Sequence, residues 1–162
     1  MCTGMKRSGN PGLVVLAGAF TLIALASTQA MSAPGQEKAC SDTTIRGNYG
    51  IQMQGTRPAG PGVIENVVGV VLRHYDGQGY FDQIDNIKGS VSGIALDRPG
   101  SGTYQVNADC TGTTSFQPDP NNPSLVIVEK IVIVDDGNEI RAIGVSPPPL
   151  MVSSVAKRVG KH

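Results

Sequence analysis

The chain has 162 residues, with 13 basic and 13 acidic side chains and a formal net charge of zero. Aromatic residues make up only 4% of it, and its basic residues are scattered apart from Lys157, Arg158 and Lys161. Nucleic-acid binding needs a basic stripe interleaved with stacking rings, so that class of function is excluded.

The N-terminus reads as a secretion signal. Lys6 and Arg7 are followed by an uncharged run, Leu13 to Ala26, rich in Leu, Val and Ala. Small residues then offer cleavage after Ala30, with Ala30-Met31-Ser32 as a second choice. A membrane-spanning helix takes about 20 apolar residues, more than this run supplies. The expectation is a signal peptide over 1–30 and a secreted or periplasmic protein with no stable membrane anchor. Cys2 precedes the apolar run, is not placed as a lipobox cysteine, and leaves with the signal. Loss of Lys6 and Arg7 leaves 11 basic and 13 acidic residues, a net charge of −2.

Two cysteines remain, Cys40 and Cys110. In an oxidising compartment a lone pair is most simply a disulfide. Closing a loop of about 70 residues stabilises a domain by up to about 4 kcal/mol in the chain-entropy picture. A zinc site is the competing reading, but two thiols without nearby histidines make a poor ligand set. His74 and His162 are the only histidines, and neither lies at ligand spacing from a cysteine. No metal or other cofactor is expected.

Beyond a short N-terminal segment, 31–45, no stretch shows the 3.6-residue period of an amphipathic helix. Short runs of Val, Ile, Thr and Tyr alternate with Gly, Pro, Asn and Asp. Strands are predicted at Gly47–Gln54, Val63–Tyr75, Gly79–Ile87, Ser90–Ala95, Gly102–Ala108, Gly112–Phe116, Leu125–Val134, Glu139–Val145 and Met151–Val159. Asp76-Gly77-Gln78-Gly79 and Asp135-Asp136-Gly137-Asn138 are hairpin signals, because Gly and Asn tolerate positive φ. Arg57 to Gly62, Pro118 to Pro123 and Pro147-Pro148-Pro149 are expected to be loops, since proline is excluded from the middle of a sheet. Roughly eight strands joined by hairpins favour an all-β fold, an antiparallel up-and-down β-barrel over 46–162 whose last strand closes against its first. A β-sandwich is the alternative.

Val67 to Leu72 and Leu125 to Val134 are apolar on both faces, whereas a strand with one wet face alternates. The outer face of these strands is therefore expected to be covered, by another subunit or, alternatively, by the proline-rich loops or the N-terminal segment.

Several strings resemble small secreted bacterial proteins of the allene oxide cyclase-like barrel family, itself related to the plant dirigent fold. They are Cys40 with Ile45-Arg46-Gly47-Asn48-Tyr49-Gly50, Gly55 at the strand end, the Asp76–Gly79 hairpin, and Gly102-Thr103-Tyr104-Gln105-Val106-Asn107-Ala108-Asp109-Cys110-Thr111-Gly112-Thr113. The last is the most specific, and together they span about Cys40 to Phe116. The resemblance implies an eight-stranded barrel clasped by Cys40–Cys110, and a homo-oligomer, a trimer by preference. The plant cyclase's active-site residues have no matched positions here, so no catalytic role is carried over.

Glu65 and Glu129 lie within strongly apolar strands. A carboxylate pointing into the barrel would be desolvated, with a raised pKa and a possible proton-transfer role. The plainer reading places both outward or at the rim, partnered by Lys130 or Arg141. Tyr104 is a further catalytic candidate. His74, Tyr80 and Asp82, with Arg73 and Asp85, sit across the Asp76–Gly79 hairpin and could orient a polar ligand head, although a solvated hairpin end has the same composition. Asp82 to Asn86 fails as a calcium loop because Ile84 breaks the ligand spacing and no distal Glu follows. No serine sits in a nucleophile elbow.

The leading functional expectation is a non-catalytic binding barrel for a small apolar ligand or a partner. The alternatives are a cyclase or isomerase of the allene oxide cyclase type and a purely structural exported protein. An open apolar cavity favours the first, an open cavity with a buried acid the second, and a packed interior the third.

Overall fold

A computed structural model describes residues 39–118 and 122–160. The expected signal peptide and residues 31–38 of the N-terminal segment lie outside the described residues. The rest is all-β: eight antiparallel strands in sequence order form a closed barrel. They are β1 (Gly47–Gly60), β2 (Val63–Tyr75), β3 (Tyr80–Gly89), β4 (Gly93–Val106), β5 (Thr111–Phe116), β6 (Ile127–Val134), β7 (Glu139–Ser146) and β8 (Met151–Arg158). β8 pairs with β1 from Tyr49↔Arg158 to Thr56↔Met151. The last strand thus closes on the first, so every strand has a neighbour on both sides, although Gly93–Ser101 of β4 extend beyond β5 and pair with β3 alone. Gly55 permits the closure, because its φ is +153° and an added Cβ would collide with the Met151 carbonyl.

Two expectations about the strands are corrected. Ser90–Ala95 and Gly102–Ala108 are not separate strands, since one strand, β4, runs through Pro99. Pro99 pairs in register with Ile84, in a stretch of β4 that has β3 as its only neighbour because pairing with β5 starts at Gly102. A strand segment with one free side is where proline's missing N–H is tolerated. Likewise Arg57–Gly60 belongs to β1, with Pro58 opposite Ile64 at the hairpin end.

An up-and-down barrel sends alternate turns to opposite ends. One end gathers the Asp76–Gly79 turn, the turn at Cys110 and the Asp135–Gly137 turn, and it is plugged by a 3-10 turn, Asp42–Ile45. Ile45 inserts fully buried beside Tyr49, Tyr75, Phe81 and Tyr104. Tyr75 centres this layer, with ring centroids 5.5 Å from Tyr49, 5.7 Å from Phe81 and 4.9 Å from Tyr104. Each such aromatic pair contributes about 0.5–1.5 kcal/mol beyond area burial. Cys40 and Cys110 are disulfide-bonded, tying the plug to the β4–β5 turn. Arg158 adds a second tie: its Nη2 donates to the carbonyls of Thr44 (3.0 Å) and Gly137 (2.9 Å). The plugged end is therefore a packed core, and any ligand must enter from the other.

The two-sided apolar reading of β2 holds in detail. Val67 and Val71 point inward and are buried, while Val68, Val70 and Leu72 are each more than half exposed on the outer surface. They adjoin Ile84 of β3, and Ile94 and Leu96 of β4 lie on the same outer face, also exposed. None of the described loops covers this face.

Candidate functional site

Side-chain alternation decides what enters the barrel. In β2 the inward residues are Glu65, Val67, Gly69, Val71, Arg73 and Tyr75, and in β3 they are Phe81, Gln83, Asp85, Ile87 and Gly89. Arg73 and Asp85 therefore face the interior. His74, Tyr80 and Asp82, one residue away in each strand, face out. His74 Nδ1 lies 2.7 Å from Asn48 Oδ1 on the outer surface, and Tyr80 is 64% exposed. The five residues read as one hairpin cluster are thus divided by the sheet, and the structure does not bring His74, Tyr80 and Asp82 to the interior.

Above the aromatic layer the barrel holds a partly enclosed cavity of about 60 Å³. Its walls include Ile51, Val71, Ile87 and Phe116, and Arg57, Pro118, Ile127 and Leu150 stand toward the open end. Its volume is well above the roughly 10–15 Å³ needed to admit one water, so the space can take water or a small ligand group.

Three ion pairs reach into this region: Arg57–Glu65 at 2.8 Å, Arg73–Glu129 at 3.3 Å and Arg98–Asp85 at 2.8 Å. Each cation has its own anion, so the interior is electrically balanced, as burial of charge requires. The innermost pair is the most organised. The Arg73 Nε–H donates to Gln83 Oε1 at 2.8 Å, and Nη1 donates to the Tyr75 hydroxyl at 3.2 Å and to Glu129 Oε2. The Thr114 hydroxyl donates to the same Glu129 oxygen at 2.6 Å. The guanidinium plane lies 4.2 Å from the Phe81 ring centroid and 5.3 Å from that of Phe116. Such stacking is worth about 0.5–2 kcal/mol per ring. Burial pushes the Tyr75 hydroxyl above its ordinary value, with Arg73 pulling the other way.

The three catalytic candidates fare differently. Glu129 does point inward, against the cavity, but its partner is Arg73; Lys130 and Arg141 face outward, to Thr113 and Glu139. Glu65 also points inward, yet its pKa moves opposite to the expected direction. The Ser92 backbone N–H, the Arg57 guanidinium and the Val91 backbone N–H hold it down at about 2. It is an ionised latch that fastens the β3–β4 hairpin to β1. Its place is already filled by donors, as hydrogen bonding to the charged form predicts. Tyr104 lies in the plugged end, where its hydroxyl accepts from the Gly77 N–H at 2.8 Å and donates to the Asp42 carbonyl at 3.2 Å. Burial raises its pKa, and it does not line the cavity.

Residue-by-residue reading missed Gln83, Thr114, Asp85 and Arg98 as interior groups. Strand alternation from Phe81 would have placed Gln83 and Asp85 inward had the register been known. Among the described residues, no three His, Cys, Asp or Glu side chains gather as metal ligands would. No protein family, curated protein or solved structure matches the chain.

Proposed function

We propose that the protein is an exported, non-catalytic barrel that binds one small, largely apolar molecule in the space above its aromatic layer. The observation that supports this reading is the cavity itself, walled by apolar side chains and floored by the Arg73–Gln83–Glu129 group. A protein with a purely structural interior has no need to bury the Arg73–Glu129 pair, because well-packed apolar residues of the same volume are usually as stable or more so. The disulfide is compatible with an oxidising compartment, and secretion or periplasmic residence after cleavage near Ala30 is part of the proposal. So is self-association through the exposed outer face of β2–β4, whose apolar side chains favour a partner surface over water.

Native mass spectrometry of the mature, oxidised protein from its own periplasm or medium tests both parts. A bound small molecule released on denaturation supports the binding reading, and a multiple of the subunit mass supports self-association. A bare monomer in repeated preparations overturns both.

One observation favours a second reading, a cyclase or isomerase of the allene oxide cyclase type. Glu129 presents a carboxylate to an open cavity, the group a proton-transfer enzyme requires. Against it, the space is too small to enclose a fatty-acid-length chain, and Glu129 Oε2 is already engaged by Arg73 and Thr114. Turnover of an epoxide substrate that is lost in Glu129→Gln would establish this reading in place of the first.

A further inference from the structure

The hydrogen-bond inventory of the inner group is incomplete in one direction only. Arg73 is 4% exposed and Gln83 is 5% exposed. An arginine Nε–H can only donate, so the atom of Gln83 that faces it is the amide oxygen, and Nε2 turns away. Among the described residues, Arg73 Nη2, Gln83 Nε2 and Glu129 Oε1 have no protein partner. Yet no fully enclosed side-chain nitrogen or oxygen there is left without a hydrogen bond. These three atoms therefore abut free space, and the residues that carry them all line the cavity.

The chemistry of the free edge specifies its ligand. It offers N–H donors from Arg73 and Gln83 and one carboxylate acceptor from Glu129. Phe81 and Phe116 occupy the guanidinium face, so Arg73 is approached in plane. The charges lining the cavity are already matched, Arg73 by Glu129 and Arg98 by Asp85. An anion would bring an unmatched charge beside Glu129, and a cation beside Arg73, each with a large desolvation penalty. A neutral planar group with a carbonyl on one side and an N–H on the other meets all three atoms without changing the charge.

We propose that Arg73, Gln83 and Glu129 form a head-group site for a carboxamide, lactam or urea carried on a small apolar body. This rests on the reading of the interior as a ligand site. The test uses three near-isosteric probes, propionamide, propionate and 2-butanone, titrated into the oxidised mature protein and followed by ¹H–¹⁵N NMR at interior-facing positions such as Gly102 and Thr114. Propionamide is expected to bind at least tenfold more tightly than either of the others. In Glu129→Gln the interior gains a net positive charge, and the preference is expected to reverse toward propionate. Equal binding of the three probes, or tightest binding of propionate to the wild type, overturns the head-group assignment while leaving the ligand-site reading intact. Failure of every probe to shift an interior resonance overturns both. Because the wild-type comparison alone decides the assignment, a Glu129→Gln protein that does not fold leaves the test in force.

Discussion

Breaking the Arg73–Glu129 pair from either side should be costly, and removing both partners together much less so. The two side chains are 5% and 12% exposed and 3.3 Å apart. At an effective dielectric of about 20 their attraction is about 5 kcal/mol, set against the desolvation of both ions. Arg73→Met leaves Glu129 with only the Thr114 hydroxyl; Glu129→Leu leaves Arg73 with Gln83, Tyr75 and the two rings. Each single change strands a buried charge, for which about 3–5 kcal/mol of destabilisation is expected, with Arg73→Met the larger because it also removes the cation held against the Phe81 and Phe116 rings. The double variant strands no charge, and it should cost at least ~2 kcal/mol less than the two single costs combined. Urea unfolding of the oxidised proteins, followed by circular dichroism, reads this directly through the midpoints at constant slope. Single costs that add to within ~0.5 kcal/mol would show that the two side chains do not act as a pair, and the electrostatic account of the interior would be refuted.

Replacing both Cys40 and Cys110 by Ser should lower stability by about 4 kcal/mol, a fall of roughly 10–20 °C in Tm for a domain of this size, measured by calorimetry. A Tm within a few degrees of wild type would mean that the clasp does not constrain the unfolded chain. Glu65 has a folded pKa of about 2 against an ordinary 4.5. Its ionised latch therefore contributes stability that is present above pH 4.5 and is lost as pH falls toward 2. Glu65→Gln should flatten the stability profile across that window, and an unchanged acid slope would contradict the latch. Gly55→Ala should destabilise by about 2–4 kcal/mol, because the positive φ and the clash with Met151 oppose β1–β8 closure together; chemical denaturation checks the magnitude.

Much of the architecture is legible in the residues. Gly-containing turns at Asp76–Gly79 and Asp135–Asn138 and the β-branched runs between them give β2 its observed bounds and set the strand order. Closure against β1 is expected from the up-and-down order, although Val155 and Val159 of the last segment are exposed and Ala156 is the residue of β8 that the core buries. Pro58 misleads because the rule against proline in sheets gives way at a hairpin end, and β4 reads as two strands because its passage through Pro99 depends on a side left free by β5, a feature set by the partner strands. The interior site was hidden for a related reason. β2 and β3 carry apolar residues on both faces, so no alternation marks which side is wet. Arg73 and His74 are then equivalent until register is fixed. Glu129 could be singled out as a charge within an apolar strand. Its partner could not, because Arg73 lies 56 residues away and meets it only across the barrel.

The central claim is that the barrel interior offers a reachable polar edge within an apolar space. X-ray diffraction of the oxidised mature protein, read for density above the aromatic layer, tests it most directly. The account predicts non-protein density, cargo or ordered water, within hydrogen-bonding distance of Arg73 Nη2, Gln83 Nε2 and Glu129 Oε1. A dry interior with those three atoms turned onto protein partners would contradict it.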